Sequence, residues 1–368
     1  MRAWPADHGR IGRDRDGRDM KFGTFAPIPM AVVGSPEVAG SAAHALEPLP
    51  GGLRDAQYDF SLELLTAADR VGFDLVLFAE RHYGQDLSAW VLASAIASRL
   101  DRMLALVAVH PGLIDPVMAA KMAVSVDRIT RGRMAINIVN GWFDREFEMF
   151  GGKVLQGAQR YRRSTEFIEI LRGLWRQETF SYQGEHYQLD RGQLLLKPAT
   201  VQPPEIYSVS TSDEGRDFIA NTCDVWFVEF PKQAQSTDEV LRALEASIAD
   251  MDRRKAGTGR KIRYGLNPFL ALGKSPEHAL DRAMKQILAS DPVGDTRKIE
   301  SRMLPATRAG FIGTPSEVRK QVRRFADMGF DLLLLKMIAS VEAVEEVGAE
   351  IIAHLGTGAK AAPEPISA

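Results

Sequence analysis

The chain has 368 residues, of which 45% are hydrophobic and 26% charged, a balance that excludes wholesale disorder. A formal net charge of −2 leaves no basic excess for a nucleic acid, and no uncharged apolar run reaches the length of about 18 residues that a membrane crossing needs. The single cysteine, Cys223, excludes an intrachain disulfide framework and cysteine-based zinc sites, and it points to the cytoplasm.

Residues 1–19 alternate Arg with Asp around Gly and Pro and lack the apolar stretch of a secretory signal. They read as a disordered leader, with Met20 as the candidate start. The first strand is expected over Lys21–Ala26, followed by a loop at 27–56 rich in Pro, Gly and Ala. A helix over 57–71 places Phe60, Leu64, Ala68 and Val71 on one face and stops at Gly72. Then come a strand at Asp74–Ala79, a helix at 87–99 and a strand at Leu104–His110. Asp115 and Pro116 open a helix over 116–130, ahead of a strand at Met134–Asn140 and a helix at 161–175.

An insertion at 176–204 holds a hairpin-like Thr179–Leu189 that turns at Gly184. Strands at Glu205–Ser210, Val225–Glu229 and Arg263–Leu272 alternate with helices at 212–220 and 236–254. A second long insertion, 273–312, carries a helix at 276–289 and a polar stretch with Arg297. Thr314-Pro315-Ser316-Glu317 is a capping box whose helix runs to Met328 and ends at Gly329. Asp331–Lys336 is the last strand and 341–355 the last helix; residues 357–368 read as a flexible tail.

Most of these strands are continuous apolar runs, the pattern of strands buried on both faces of a parallel sheet. Gly-Phe-Asp-Leu occurs at 72–75 and again at 329–332, each time where a helix ends and a strand begins. Eight strands alternating with helices give an α/β chain folded as a single (β/α)8 TIM barrel over 20–356, with insertions at 27–56, 176–204 and 273–312. A doubly wound open sheet is the alternative.

Familiar motifs are absent. Gly356–Ala361 matches a dinucleotide-binding glycine pattern but follows a helix instead of a strand. There is no Walker A loop, no G-x-S-x-G elbow and no H-E-x-x-H, and none of the seven histidines pairs at metal-ligand spacing. No metal site is expected.

Chemistry is therefore sought where polar residues interrupt the strand ends, which in a barrel is the catalytic face. Glu80-Arg81-His82-Tyr83 ends the second strand, either as a site or as a solvated loop. His110 ends the third, either as a functional group or as a strand cap. Asn137 lies inside an apolar run, where a buried amide needs partners for both its oxygen and its nitrogen. Glu146 follows, and then Arg160, Tyr161, Arg162 and Arg163 at a helix start. Arginine there opposes the helix dipole unless an anion is bound. Ser210-Thr211-Ser212-Asp213-Glu214-Gly215 is a second possible anion nest, or a plain N-cap. Two such elements with a buried amide suggest a phosphorylated cofactor with a flat polar ring.

His110-Pro111-Gly112, Asp127-Arg128, Asn137 through Phe143, Glu146-Phe147, Arg160 through Ile168, Ser210 through Gly215 and Gly313 through Val318 carry a resemblance. Over residues 20–355 the chain resembles the bacterial luciferase-like flavin monooxygenases, and within them the branch of dimethylsulfone, alkanesulfonate and pyrimidine monooxygenases. The resemblance implies an FMN-dependent monooxygenase that takes reduced FMN (FMNH2) from a separate NAD(P)H-dependent flavin reductase and uses O2 on a small organic substrate. It also implies a homodimer or homotetramer.

By the same resemblance Glu80, Arg81, Asn137, Glu146, Arg160, Tyr161 and Ser212 bind the cofactor, and, as strand-end polar groups, Asn137 and His110 are the catalytic candidates for stabilising developing charge. His82, Tyr83, Trp142, Asn267, Phe269 and Arg297 face substrate or form the lid. Asn267 and Phe269 stand where the alkanesulfonate enzyme has Arg and His, and Ala108 where the pyrimidine enzyme has Thr. That departure favours a sulfone or small heterocycle over a sulfonate. A deazaflavin-dependent oxidoreductase of the same superfamily and a non-catalytic flavin-binding barrel are the alternatives.

Overall fold

The computed structural model describes residues 20–27, 55–82, 86–141, 144–290 and 305–355. The expected leader and tail, most of the 27–56 insertion and part of 273–312 lie outside the described residues, as does the glycine motif at 356–361.

In chain order the strands are β1 (Lys21–Phe25), β2 (Leu75–Phe78), β3 (Leu104–Val109), β4 (Met134–Ile138), β5 (Phe180–Gln183), β6 (Gln188–Gly192), β7 (Glu205–Val209), β8 (Val225–Val228), β9 (Arg263–Leu266), β10 (Ala271–Leu272), β11 (Ile312–Gly313) and β12 (Phe330–Leu335). Eight of them close a parallel barrel in the order β1-β12-β9-β8-β7-β4-β3-β2. The helices are α1 (Ala56–Val71), α2 (Ala89–Ala97), α3 (Pro116–Ile129), α4 (Asp144–Met149), α5 (Ala158–Arg176), α6 (Asp213–Thr222), α7 (Thr237–Lys255), α8 (Pro276–Ser290), α9 (Pro315–Met328) and α10 (Val341–Val347). The closed barrel excludes the doubly wound alternative.

Each barrel strand alternates between two cores, which is why its sequence is apolar throughout. Leu75, Leu77, Leu106, Ala108, Ala135, Tyr207, Val225, Phe227, Leu332 and Leu334 fill the barrel interior. The intervening residues pack under the helices, among them Val76, Val107, Ile136, Ile206, Trp226 and Leu333. The floor at the N-terminal strand ends is polar: Arg263 reaches Glu205 at 2.5 Å and the Tyr207 hydroxyl at 3.4 Å.

Local chemistry sets the helix ends. Asp115 accepts from the backbone N–H of Val117 and Met118, and Thr314 with Glu317 completes the expected capping box. The two Gly-Phe-Asp-Leu junctions share one geometry, with Gly72 at φ 103° and Gly329 at φ 105°, the left-handed cap that glycine adopts without strain.

Three expectations are corrected. The seventh strand, read as 263–272, splits into β9 and β10, because Pro268 has no N–H to continue the ladder. Phe269 then bridges to Lys336, and β10 leaves the barrel to pair with β11. On α1 the buried stripe is Ser61, Leu64, Leu65 and Ala68, with Phe60 left 38% exposed. The last helix is interrupted by a π-helical segment, Gly348–Ile352, before a short turn at Ala353–Leu355. The hairpin in the 176–204 insertion is antiparallel as expected, and the Glu166 carboxylate holds its turn by accepting from the N–H groups of Glu185, His186 and Tyr187.

Candidate active site at the barrel mouth

Parallel strands deliver all their C-terminal ends to one face, so the polar interruptions meet there. Glu80 to His82 follow β2, His110 follows β3, Asn137 lies in β4 and Asn140 just after it, Ser210 and Ser212 follow β7, and Asn267 follows β9.

The densest cluster joins the starts of α5 and α6. The Tyr161 hydroxyl lies 3.0 Å from Ser210 Oγ and 3.1 Å from Ser212 Oγ, and an Arg160 guanidinium N–H donates to it at 3.2 Å. Ser212 caps α6 by accepting from the Gly215 N–H at 3.2 Å. No acidic residue lies in the first turn of α5, and no side chain caps it. Arg160 Nε is buried with no partner. A Cβ at Gly215 would fall 1.9 Å from Ser210 Oγ and 2.6 Å from the Tyr161 hydroxyl, so only glycine lets these hydroxyls sit against the start of α6. Hydroxyls, a guanidinium and an uncapped helix start are the kinds of group that bind a phosphate.

Further into the mouth stands a row of buried polar atoms with no hydrogen-bond partner: His110 Nδ1, Asn137 Oδ1, Asn140 Oδ1 and Nδ2, and Asn267 Oδ1. Asn137 is 7% exposed and pairs in register with Ala108 on β3 and Tyr207 on β7. Its inward neighbour Ala135 belongs to the barrel interior, so strand alternation aims the amide inward too. Glu146 on α4 is 1% exposed and accepts from the His82 N–H at 2.9 Å, fastening α4 to the end of β2. The His82 ring lies 5.3 Å from His110 and 5.5 Å from Phe150. Burial, with His82 nearby, pushes His110 down to about 4, so its imidazole is neutral at neutral pH.

Two other expected ligands are engaged within the chain. The Arg81 guanidinium forms a two-pronged ion pair with Asp86, both contacts at 2.6 Å. Glu80 caps α2, accepting from the Ala89 N–H at 3.0 Å and from the Ser88 hydroxyl at 3.3 Å, and burial pushes its carboxyl up to about 7. Phe269 packs against the small core of Ala271, Ala279 and Ile312. Tyr83, Trp142 and Arg297 lie outside the described residues.

Ser210, Asn140 and Gly215 join the site although the sequence singled out only their runs. Their signal was position, immediately after an apolar strand or in the first turn of the next helix. Cys223 is fully buried and burial pushes its thiol up to about 12, so it belongs to the core and not to the chemistry. Among the described residues no group of three or more His, Cys, Asp or Glu could hold a metal ion, and no helix is long and apolar enough to cross a membrane.

The luciferase-like monooxygenase family model matches residues 20–332. The chain belongs to this family. As a luciferase-like monooxygenase it is a flavin-dependent oxidoreductase, and the polar mouth agrees with that class. It is 28% identical over 323 residues to an FMNH2-dependent dimethylsulfone monooxygenase from Pseudomonas fluorescens (strain Pf0-1), covering 80% of this chain and 86% of the relative. Among solved structures, a long-chain alkane monooxygenase (LadA) superposes with a TM-score of 0.70 at 18% identity, covering 92% of this chain and 91% of the other. An F420-dependent secondary alcohol dehydrogenase does so with a TM-score of 0.66 at 16% identity, covering 92% and 98%. These two likenesses show the fold.

Proposed function

We propose that this flavin-dependent monooxygenase uses reduced FMN delivered by a separate NAD(P)H-dependent reductase to oxygenate a small, weakly charged organic molecule such as a sulfone or heterocycle. The carrying observation is the Arg160–Tyr161–Ser210–Ser212–Gly215 cluster, where a guanidinium and three hydroxyls gather at two helix N-termini. Similarity to an FMNH2-dependent dimethylsulfone monooxygenase supports the same cofactor. The unpartnered atoms of Asn137 and Asn140 suit the polar edge of a flat ring.

Bound FMN in its reduced form supplies two electrons to O2, so that one oxygen atom enters the substrate and the other leaves as water. Arg160, Tyr161, Ser210, Ser212 and the first N–H groups of α6 anchor the phosphate, and their fixed directions set where the ring lies. Asn137 offers an amide that is already desolvated, so its dipole needs no reorganisation when charge develops beside it. Glu146 keeps the α4 segment fixed to the end of β2. Leu106, Ala108, Ala135, Tyr207, Phe227 and Leu334 form a packed floor that keeps water out from below. Asn267 recognises a neutral polar group, in keeping with a substrate that carries little charge.

The test is oxygen uptake with FMN, NADH and a generic flavin reductase across sulfones, sulfonates and heterocycles. Substrate-dependent uptake that requires both FMN and reductase is expected. Uptake that no substrate stimulates, or that runs on reduced deazaflavin in place of reduced FMN, would overturn the reading.

A further inference from the structure

We propose that Arg216 and Arg254 are positioning residues for the phosphate: together they draw the Asp213 carboxylate toward α7 and so leave the first N–H groups of α6 to the ligand. The inference rests on the FMN reading above and assigns what keeps that helix start open to an anion.

The two helix starts at the cluster differ. The first turn of α5 holds no acidic residue, whereas that of α6 holds Asp213 and Glu214. A helix leaves its first N–H groups without partners inside the helix, and those of Asp213 and Glu214 are among them. Ser212 takes the N–H of Gly215. A carboxylate in the first turn is attracted to the same N–H groups, and to the same end of the helix dipole, as a phosphate is. Asp213 is thus a competitor built into the site, and its charge would repel a bound phosphate.

The carboxylate is held elsewhere. Asp213 Oδ1 accepts from Arg254 at 2.7 Å and from Arg216 at 2.8 Å. Arg254 Nη1 also reaches the Asp213 carbonyl at 3.2 Å and Asp217 Oδ1 at 2.6 Å. Arg254 Nε donates to Asp250 at 2.8 Å, which fixes the guanidinium on α7, and Arg216 Nε lies 3.4 Å from the same carboxylate. The Arg254 side chain is 19% exposed and that of Asp213 74%, so the buried guanidinium places the exposed carboxylate. Arg216 and Arg254 hold the Asp213 carboxyl below its ordinary range. The Asp217 contact already braces α6 against α7. Two guanidiniums on a single Asp213 oxygen go further and balance a charge next to Ser212.

Equilibrium titrations with FMN and with riboflavin, which has no phosphate, test this on four proteins. These are the wild type, Asp213→Asn, Arg216→Gln/Arg254→Gln and the triple variant that adds Asp213→Asn to the last. Melting curves check that each variant folds. The arginine double variant should bind FMN about fivefold more weakly, the effect of one uncompensated charge at a helix start, and riboflavin within about twofold of wild type. Adding Asp213→Asn should bring FMN affinity back to within about twofold of wild type, and Asp213→Asn alone should change it by less than about twofold. If the double variant does not fold, Arg254→Gln alone decides, with a loss of about threefold that Asp213→Asn reverses. Unchanged FMN affinity, a loss shared by riboflavin, or a loss that Asp213→Asn does not reverse would overturn the proposal. So would an Asp213→Asn variant that by itself binds FMN about fivefold more tightly. A wild type that binds FMN no more tightly than riboflavin would overturn the phosphate reading itself.

Discussion

Gly215→Ala tests the hydroxyl cluster at the start of α6 apart from the rest of the fold. The added Cβ falls 1.9 Å from Ser210 Oγ, 2.5 Å from Ser210 Cβ and 2.6 Å from the Tyr161 hydroxyl. Rotating a single side-chain tip does not relieve all three contacts, so the hydroxyls must leave their positions. Alanine is about 1 kcal/mol better than glycine inside a helix, and a tight insertion costs about 1–3 kcal/mol. Folding stability should therefore change by no more than about 2 kcal/mol. A hydrogen bond to a charged group contributes about 1.5–3 kcal/mol, and about 1.4 kcal/mol is tenfold in affinity. Losing one such bond should weaken FMN about 10- to 100-fold. The assay is a pair of equilibrium titrations, one with FMN and one with riboflavin, which has no phosphate. FMN affinity should fall while riboflavin affinity stays within about threefold of wild type. Equal weakening of both, or of neither, would refute the assignment of this cluster to a phosphate.

Tyr161→Phe removes the hydroxyl shared by Arg160, Ser210 and Ser212 while the ring keeps its place 5.7 Å from Phe218. It should cost about 1 kcal/mol in urea unfolding and about tenfold in FMN affinity. Asn137→Leu replaces a buried amide whose oxygen has no partner with an apolar group of similar size. Stability should hold or rise, while oxygen transfer with reduced FMN should fall by about 100-fold in steady-state assays. Glu80→Gln tests the carboxyl that burial lifts from the ordinary 4.5 to about 7. The folded state holds that proton more tightly than the unfolded state does. The group's contribution is therefore full below pH 4.5 and is lost as pH rises through 7. Melting temperatures from pH 5 to 9 should decline less steeply in the variant than in wild type, and parallel curves would contradict the assigned shift.

The barrel was legible because both cores claim each strand, leaving apolar runs such as Leu104–Val109 and Met134–Ile138 that only a two-sided burial explains. The caps were legible because their chemistry is local, as at Asp115 and Thr314. The strand break after β9 was written in Pro268, but the apolar residues on either side outweighed it in a reading by pattern. At the site, the places of Arg160 and Ser212 at helix starts could be read, and these made them candidates for holding an anion. Arg81 could not be settled in that way. Whether its guanidinium faces a ligand or closes on Asp86 depends on how the turn after β2 folds back, which spacing alone does not determine. His110 was legible as a strand-end polar group, whereas its near-complete burial and its approach to the His82 ring depend on how two different strand ends meet.

The most direct test of the account is a crystal structure of the protein with FMN. The phosphate should lie within hydrogen-bonding distance of Tyr161, Ser210, Ser212 and Arg160, and the ring should reach Asn137 at the end of β4. A flavin bound away from the C-terminal mouth of the barrel, or with its phosphate turned away from the starts of α5 and α6, would contradict it.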